Sequence, residues 1–308
     1  MTPTIVVKQV DAFTTRPFSG NSAGVVLDAA GLSDSQMQII AREMNVSETA
    51  YLLPPSGPGA DFRVRWFTPK VEVDLCGHAT VACFHAAMET GRVGAGSYRL
   101  ECLSGVLALD LDRDDVGPRV RLGLPVADLL PWDIATCRIA EPLGLETDDL
   151  HARLPVMKAA QWAVVPLTGL EAMRRMRPDF KALLALESQE GVGEIIVITT
   201  ETLEAGSAVH VRMFAPACGI DEDPVTGAAQ GPVGAYLLAN SLLEERATRP
   251  DAGRLLYVAE QGDEVGRPGR IEVEVAHQGG RIRSITIAGR AVTVLEGAIQ
   301  VPSDASTC

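Results

Sequence analysis

Four ionisable side chains and two glycine-led segments carry most of the chemical information in this sequence. Glu48 lies in Val46-Ser47-Glu48-Thr49-Ala50-Tyr51-Leu52-Leu53, which reads as a strand. Period two then sets Glu48 on one face with Val46, Ala50 and Leu52. A carboxylate on an apolar face finds a partner or keeps a raised pKa, and a raised pKa suits a general acid or base. The plainer reading puts Glu48 at the solvated beginning of the strand or beside an Arg. His78 stands at a helix start, in Leu75-Cys76-Gly77-His78-Ala79-Thr80, where an imidazole is pushed toward neutral and relays protons. Cys76 stands where a helix start lowers a thiol's pKa. Asp223 precedes Pro224 and, taken alone, reads as an N-terminal cap.

Positioning these groups requires two similar halves. Arg65-Trp66-Phe67-Thr68-Pro69 recurs as Arg212-Met213-Phe214-Ala215-Pro216, 147 residues later. Each copy leads through an acidic turn, Glu72-Val73-Asp74 or Asp221-Glu222-Asp223, into a small-residue helix opening with Gly77 or near Thr226-Gly227. Helix starts present unpaired N–H groups and a positive dipole end, so a pair of them suits a carboxylate in a cleft shared by two domains. Ordinary close-packed helix starts are the plainer alternative; the repetition favours the former. The predicted division is 1–125 and 126–308, joined near Leu124–Cys137, with the last strand free to return to the first domain.

Short strands dominate the pattern, among them Ile5–Val10, Gly24–Leu27, Ala50–Leu53, Phe62–Phe67, Tyr98–Cys102, Ile195–Ile198, Val209–Phe214 and Ile271–Val275. The predicted helices are Asp34–Met44, with a Ser33/Gln36 capping box and Asn45 as C-cap, Gly77 to about Thr90, and Thr226 to about Ser241. Leu170–Arg175 and Asp179–Leu186 are shorter ones. Without regular βαβ alternation the fold class is α+β.

The chain has 308 residues, 27 Lys and Arg against 40 Asp and Glu, and a net charge of −13. That balance argues against nucleic acid and anionic membranes as partners. The longest uncharged run, Pro224–Leu243, is too polar and interrupted to span a bilayer. Six scattered cysteines (Cys76, Cys83, Cys102, Cys137, Cys218, Cys308), with no CxxC pair and no leader-like N-terminus, predict reduced thiols and a cytoplasmic protein. No metal site is expected: His78 and His85 have no third ligand nearby in sequence, and Asp221-Glu222-Asp223 suits a cap better than Mg²⁺. Gly20-Asn21-Ser22-Ala23-Gly24 fits G-x-S-x-G, but a strand, not a helix, follows it, so a serine hydrolase is rejected.

The residues also resemble a known family. Asp11-Ala12-Phe13 with Gly20-Asn21, Asn45-Val46-Ser47-Glu48-Thr49, Phe67-Thr68-Pro69, Gly77-His78-Ala79-Thr80, Phe214-Ala215-Pro216 and Glu222-Asp223-Pro224-Val225-Thr226-Gly227 look like the PhzF-like family of phenazine biosynthesis. The resemblance implies a diaminopimelate-epimerase-like fold, in which each domain wraps a mixed sheet around a central helix. It further implies an isomerase without cofactor, acting on trans-2,3-dihydro-3-hydroxyanthranilate or a related small carboxylate. Carried over by motif, Glu48 matches the acid/base carboxylate, assisted by His78 and Asp223. Ser47, Gly77, Ala79, Thr226, Gly227 and Ala228 become the expected substrate contacts, and a homodimer the expected assembly. The family commonly has Pro where Ser22 stands, and Ser where Ala228 stands; the latter departure bears on substrate identity. The rivals are a two-thiol racemase on the same fold and a binding protein without chemistry. The racemase would use Cys76, but its second thiol should precede Gly227, where Thr226 stands, and Cys218 lies eight residues too early.

Overall fold

In the computed structural model, residues 3–126, 128–244 and 246–303 are described; Cys308, one of the six thiols, lies outside them. The chain divides into two compact units, Met1–Gly123 with Ala288–Cys308, and Leu124–Ile287.

The first unit is built on a mixed sheet. Strand Thr4–Ala12 pairs antiparallel with Ala291–Gln300 on one side and Asn21–Val26 on the other. Asn21–Val26 runs parallel to Glu48–Leu53, which pairs antiparallel with Phe62–Phe67. Phe62–Phe67 pairs antiparallel with Glu72–Val73 at one end and parallel with Gly96–Cys102 at the other. The hairpin strands Gly105–Asp114 and Gly117–Leu124 follow, antiparallel. The helix Gly77–Glu89 is buried from Gly77 through Met88, so it forms the centre that the sheet wraps. Helix Asp34–Met44 starts on the predicted box, Ser33 Oγ accepting from Gln36 N and Gln36 Oε1 from Ser33 N, and ends on left-handed Asn45. Gly24 is required by packing: a Cβ there would lie 2.5 Å from Thr49 Oγ1.

The second unit repeats this order and sense. Trp162–Pro166 runs parallel to Glu194–Thr199, which is antiparallel to Val209–Ala215. Val209–Ala215 pairs antiparallel with Ile220–Asp223 and parallel with Arg254–Gln261, which is antiparallel to Gly269–Gln278. The Arg of each repeat forms the same two-pronged pair: Arg65 Nε and Nη2 bond Glu72 at 2.7 and 2.8 Å, and Arg212 bonds Glu222 at 2.7 Å twice. Each guanidinium lies over the Phe two residues on, Phe67 at 5.0 Å and Phe214 at 5.3 Å. The offset is 147 at the arginines and 150 at the glutamates, because the second copy inserts the short 3₁₀ turn Pro216–Cys218.

Two elements that bear on the candidate site differ from expectation. The second central helix is Gln230–Ala239 and does not begin at Thr226. Pro232 has no N–H to give the carbonyl four residues back, and Ala228 O instead accepts from Gly231 N at 3.1 Å, so 227–229 form a tighter turn. The strand Arg254–Gln261 is not among the strands named from the sequence, although its burial alternates along Arg254–Tyr257. By contrast Leu170–Arg175 agrees residue for residue, and Asp179 caps Phe180–Glu190 through Lys181 N and Ala182 N.

Glu187, in Phe180–Glu190, is 1% exposed and accepts one hydrogen bond, from Ala217 N at 3.0 Å. Burial raises its carboxyl from 4.5 to about 7. The folded state thus holds this proton more tightly than the unfolded chain, so stability falls as pH rises from 4.5 to 7. Glu187→Gln keeps an acceptor for Ala217 N. It is expected to raise unfolding stability at pH 8 by on the order of 2 kcal/mol, with little gain at pH 4.5, in urea titrations at both pH values.

Candidate active site

Asn45, at φ 51°, turns the chain out of helix Asp34–Met44 and directs Val46 and Ser47 toward the sheet. Glu48 then enters as the first residue of its strand, opposite Ala23. Tyr51 and Leu53 join Met37, Ile40 and Phe67 in one apolar cluster, so alternation gives Glu48, Ala50 and Leu52 the other face. This strand is interior to the sheet, and Glu48 is 8% exposed, not solvated.

His78 occupies the first turn of Gly77–Glu89, and its Nε2 lies 3.1 Å from Glu48 Oε2 and 3.1 Å from Ser47 Oγ. Ser47 also donates toward Asn21 Oδ1 at 3.3 Å and Ser22 O at 3.2 Å. Cys76 stands at the N-cap position, its Sγ 3.4 Å from His78 Nδ1. Thr80 donates its hydroxyl to Cys76 O at 2.6 Å, tightening the turn beneath it. Glu48, Ser47, Cys76 and His78 are thus brought into one buried cluster, bounded along the helix by Gly77 and Ala79.

Electrostatics here reverse two expectations. Burial pushes the Glu48 carboxyl up, but His78, with Ser47 and Cys76, outweighs it and holds the group below its ordinary value. Burial opposes a charge on His78, yet Cys76 and the Glu48 carboxylate raise the imidazole well above its ordinary range. The pair is therefore carboxylate and imidazolium, whereas the helix start alone predicted a neutral ring. Cys76 is pushed up to about 11, by burial first and by the Glu48 charge second, so the lowered thiol expected from the helix start is overturned. His85 faces Glu89 at 3.9 Å and takes no part in the cluster.

In the second unit, Asp223 ends its strand 5% exposed, and its Oδ2 accepts the Thr226 hydroxyl at 2.5 Å. Gln261 closes this turn with both ends of its amide. Its Nε2 donates to Asp223 O at 2.9 Å and Thr226 Oγ1 at 3.1 Å, and its Oε1 accepts from Thr226 N at 3.1 Å. Asp223 thus bonds the Thr226 side chain across a turn, and the regular helix starts only at Gln230. Gly227 is buried and Ala228 half-buried. Sequence reasoning missed the parts played by Asn21 and Gln261; Asn21 lay within a quoted motif, and Gln261 closes the overlooked strand. Ser22 sits within strand Asn21–Val26, taking a hydrogen bond from Gln9 Nε2 at 2.8 Å, and is no nucleophile elbow.

A family model described as phenazine biosynthesis-like protein, PhzC-PhzF, matches residues 10–297. The chain is 38% identical to the uncharacterized isomerase YddE of Escherichia coli O157:H7, over 93% of this chain and 95% of that one. A crystal structure of a PhzF-family phenazine biosynthesis protein of Bacillus anthracis superposes with a TM-score of 0.85 at 32% identity, covering 96% and 99% of the two chains. A hydroxyproline epimerase of Agrobacterium vitis, 13% identical with a TM-score of 0.61 over 97% and 94%, shares the fold alone. The chain belongs to the PhzF-like family of phenazine biosynthesis-like proteins and has the diaminopimelate-epimerase-like fold. It is an isomerase-family enzyme. Among the described residues, no helix is long and apolar enough to cross a membrane.

Proposed function

We propose that this chain is a cofactor-independent isomerase in which Glu48 moves a proton between two positions of a small carboxylate-bearing substrate. The observation that carries the reading is the buried Glu48–His78 pair, 3.1 Å apart. Glu48 is held ionised, ready to take a proton from carbon. As it does so, the double bond of the substrate shifts, and the imidazolium of His78 stays beside the developing negative charge. Returning the proton to a second carbon completes the isomerisation with no net loss of atoms or electrons. The first-turn amides at Gly77 and Ala79, with the Ser47 hydroxyl, are proposed to receive the substrate's polar groups. Asp223, Thr226, Gly227 and Ala228 are proposed as further assisting and binding residues. Ala228 offers no hydroxyl, which favours a substrate with one fewer polar contact. The family resemblance makes trans-2,3-dihydro-3-hydroxyanthranilate, or a related compound, the first candidate. A cytoplasmic homodimer completes the proposal. Against the thiol racemase stand the raised pKa of Cys76 and the absence of a second thiol at Thr226.

The test begins with a thermal-shift screen of small carboxylic acids, aromatic and cyclic ones included. Binders are then incubated with enzyme in deuterated water without nucleotide, flavin or pyridoxal. The expected product is an isomer of unchanged formula carrying solvent deuterium. Hydrolysis or oxidation products, or turnover only after a cofactor is added, would overturn the reading.

A further inference from the structure

Spacing along the chain hid a juxtaposition that the fold creates. Glu48 lies 28 residues before Cys76, yet one ligand atom each of Glu48, Cys76 and His78 falls within 4.8 Å of the other two. Glu48 Oε2 is 3.1 Å from His78 Nε2, and Cys76 Sγ is 4.0 Å from that same nitrogen. In a tetrahedral zinc site, with Zn–S of about 2.3 Å and Zn–N or Zn–O of about 2.0–2.2 Å, neighbouring donors lie roughly 3.3–3.6 Å apart. The two observed separations bracket that range, so small side-chain shifts would meet it. All three residues are buried, and rigid elements hold them: Cys76 and His78 a helix start, Glu48 an interior strand.

We infer that Glu48, Cys76 and His78 form a three-ligand site for a zinc-class divalent ion, and that an ion bound there blocks the proton transfer assigned to Glu48. A thiolate, an imidazole and a carboxylate select a borderline-soft ion over Mg²⁺ or Ca²⁺, which take oxygen ligands. Three protein ligands leave a fourth position for water or a substrate group. When the ion enters, the thiol proton of Cys76 and one ring proton of His78 leave, so two positive charges replace two. Zinc would then act as a reversible inhibitor that competes for the base itself. The block rests on the function proposed above; the binding does not.

Cobalt(II), an optical stand-in for zinc, tests the site in the full chain carrying Cys137→Ser, Cys218→Ser and Cys308→Ser. One equivalent is expected to bind with a thiolate-to-cobalt charge-transfer band and tetrahedral ligand-field bands, both lost to one equivalent of zinc. Cys76→Ser should abolish the charge-transfer band, and His78→Ala should weaken binding at least 10-fold. Zinc K-edge absorption of the parent protein needs no variant and should give one sulfur among nitrogen and oxygen neighbours. A first shell without sulfur, or a charge-transfer band surviving Cys76→Ser, would overturn the site. Zinc bound there that leaves turnover of a working substrate unchanged would overturn the block. Cobalt bound as described to a protein that isomerises nothing would count against the proposed function alone.

Discussion

Glu48→Gln is expected to lower turnover at least 100-fold while leaving ligand binding nearly unchanged. The amide has the shape of the carboxylate and fits the same interior position, so the strand and its pairing with Ala23 are retained. What it lacks is basicity. Positioned proton transfer contributes roughly 10²–10⁴-fold to rate, and this variant removes the group proposed to take the proton. Deuterium incorporation and turnover should fall together, and the thermal shift induced by a substrate should persist. Undiminished turnover would sink the assignment of Glu48. Because the carboxylate also sustains the charge on His78, the same variant should move the His78 ring resonances in NMR toward those of a neutral imidazole.

The second large effect concerns stability. His210 is fully buried between two carboxylates, Nδ1 2.9 Å from Glu260 Oε1 and Nε2 2.9 Å from Glu264 Oε1. Burial works against its charge, but the two hydrogen-bonded carboxylates raise it from 6.5 to about 9. A raised histidine stabilises the fold fully below its unfolded value and loses that contribution as pH climbs through the folded one. Stability from this group should therefore be complete near pH 6, decline from about 6.5, and be largely gone past about 9. The loss amounts to on the order of 3 kcal/mol. Urea unfolding of wild type and His210→Gln at pH 6, 7.5 and 9 reads it as a difference. Wild type should exceed the variant most at pH 6, and a gap that does not shrink with pH would contradict this account. Glu260 also accepts Leu203 N at 2.5 Å and Glu204 N at 3.2 Å, so weakening this cluster should loosen the loop before strand Val209–Ala215.

How much of this was legible beforehand depended on the range of the interactions. The capping box at Ser33, the left-handed Asn45 and the Asp179 cap are local chemistry, and the chain announced them. The repeat was legible too, because Arg and Phe in each copy make the same ion pair and ring contact. Its offset steps from 147 to 150 across the 3₁₀ turn Pro216–Cys218, which no periodicity reports. The late start at Gln230 follows from Pro232, whose missing N–H acts four residues upstream, beyond a reading that stops at the first glycine. Glu48 was placed on the correct face by alternation. Its partner could not be, since His78 arrives from a separate helix, and their mutual effect on ionisation outweighs the helix start that was used to judge His78 alone.

The pairing of Thr4–Ala12 with Ala291–Gln300 has a consequence for the order in which the molecule can be completed. Every strand of the unit Leu124–Ile287 begins to be synthesised before Ala291–Gln300, the last strand of the other unit. The half that is second in the chain thus has its full sequence first, while the earlier half still lacks the partner for one side of Thr4–Ala12. A chain ending near residue 290 would present an open β edge in the unit that holds Glu48 and His78. The Glu48–His78 pair then belongs to the unit whose sequence is completed last.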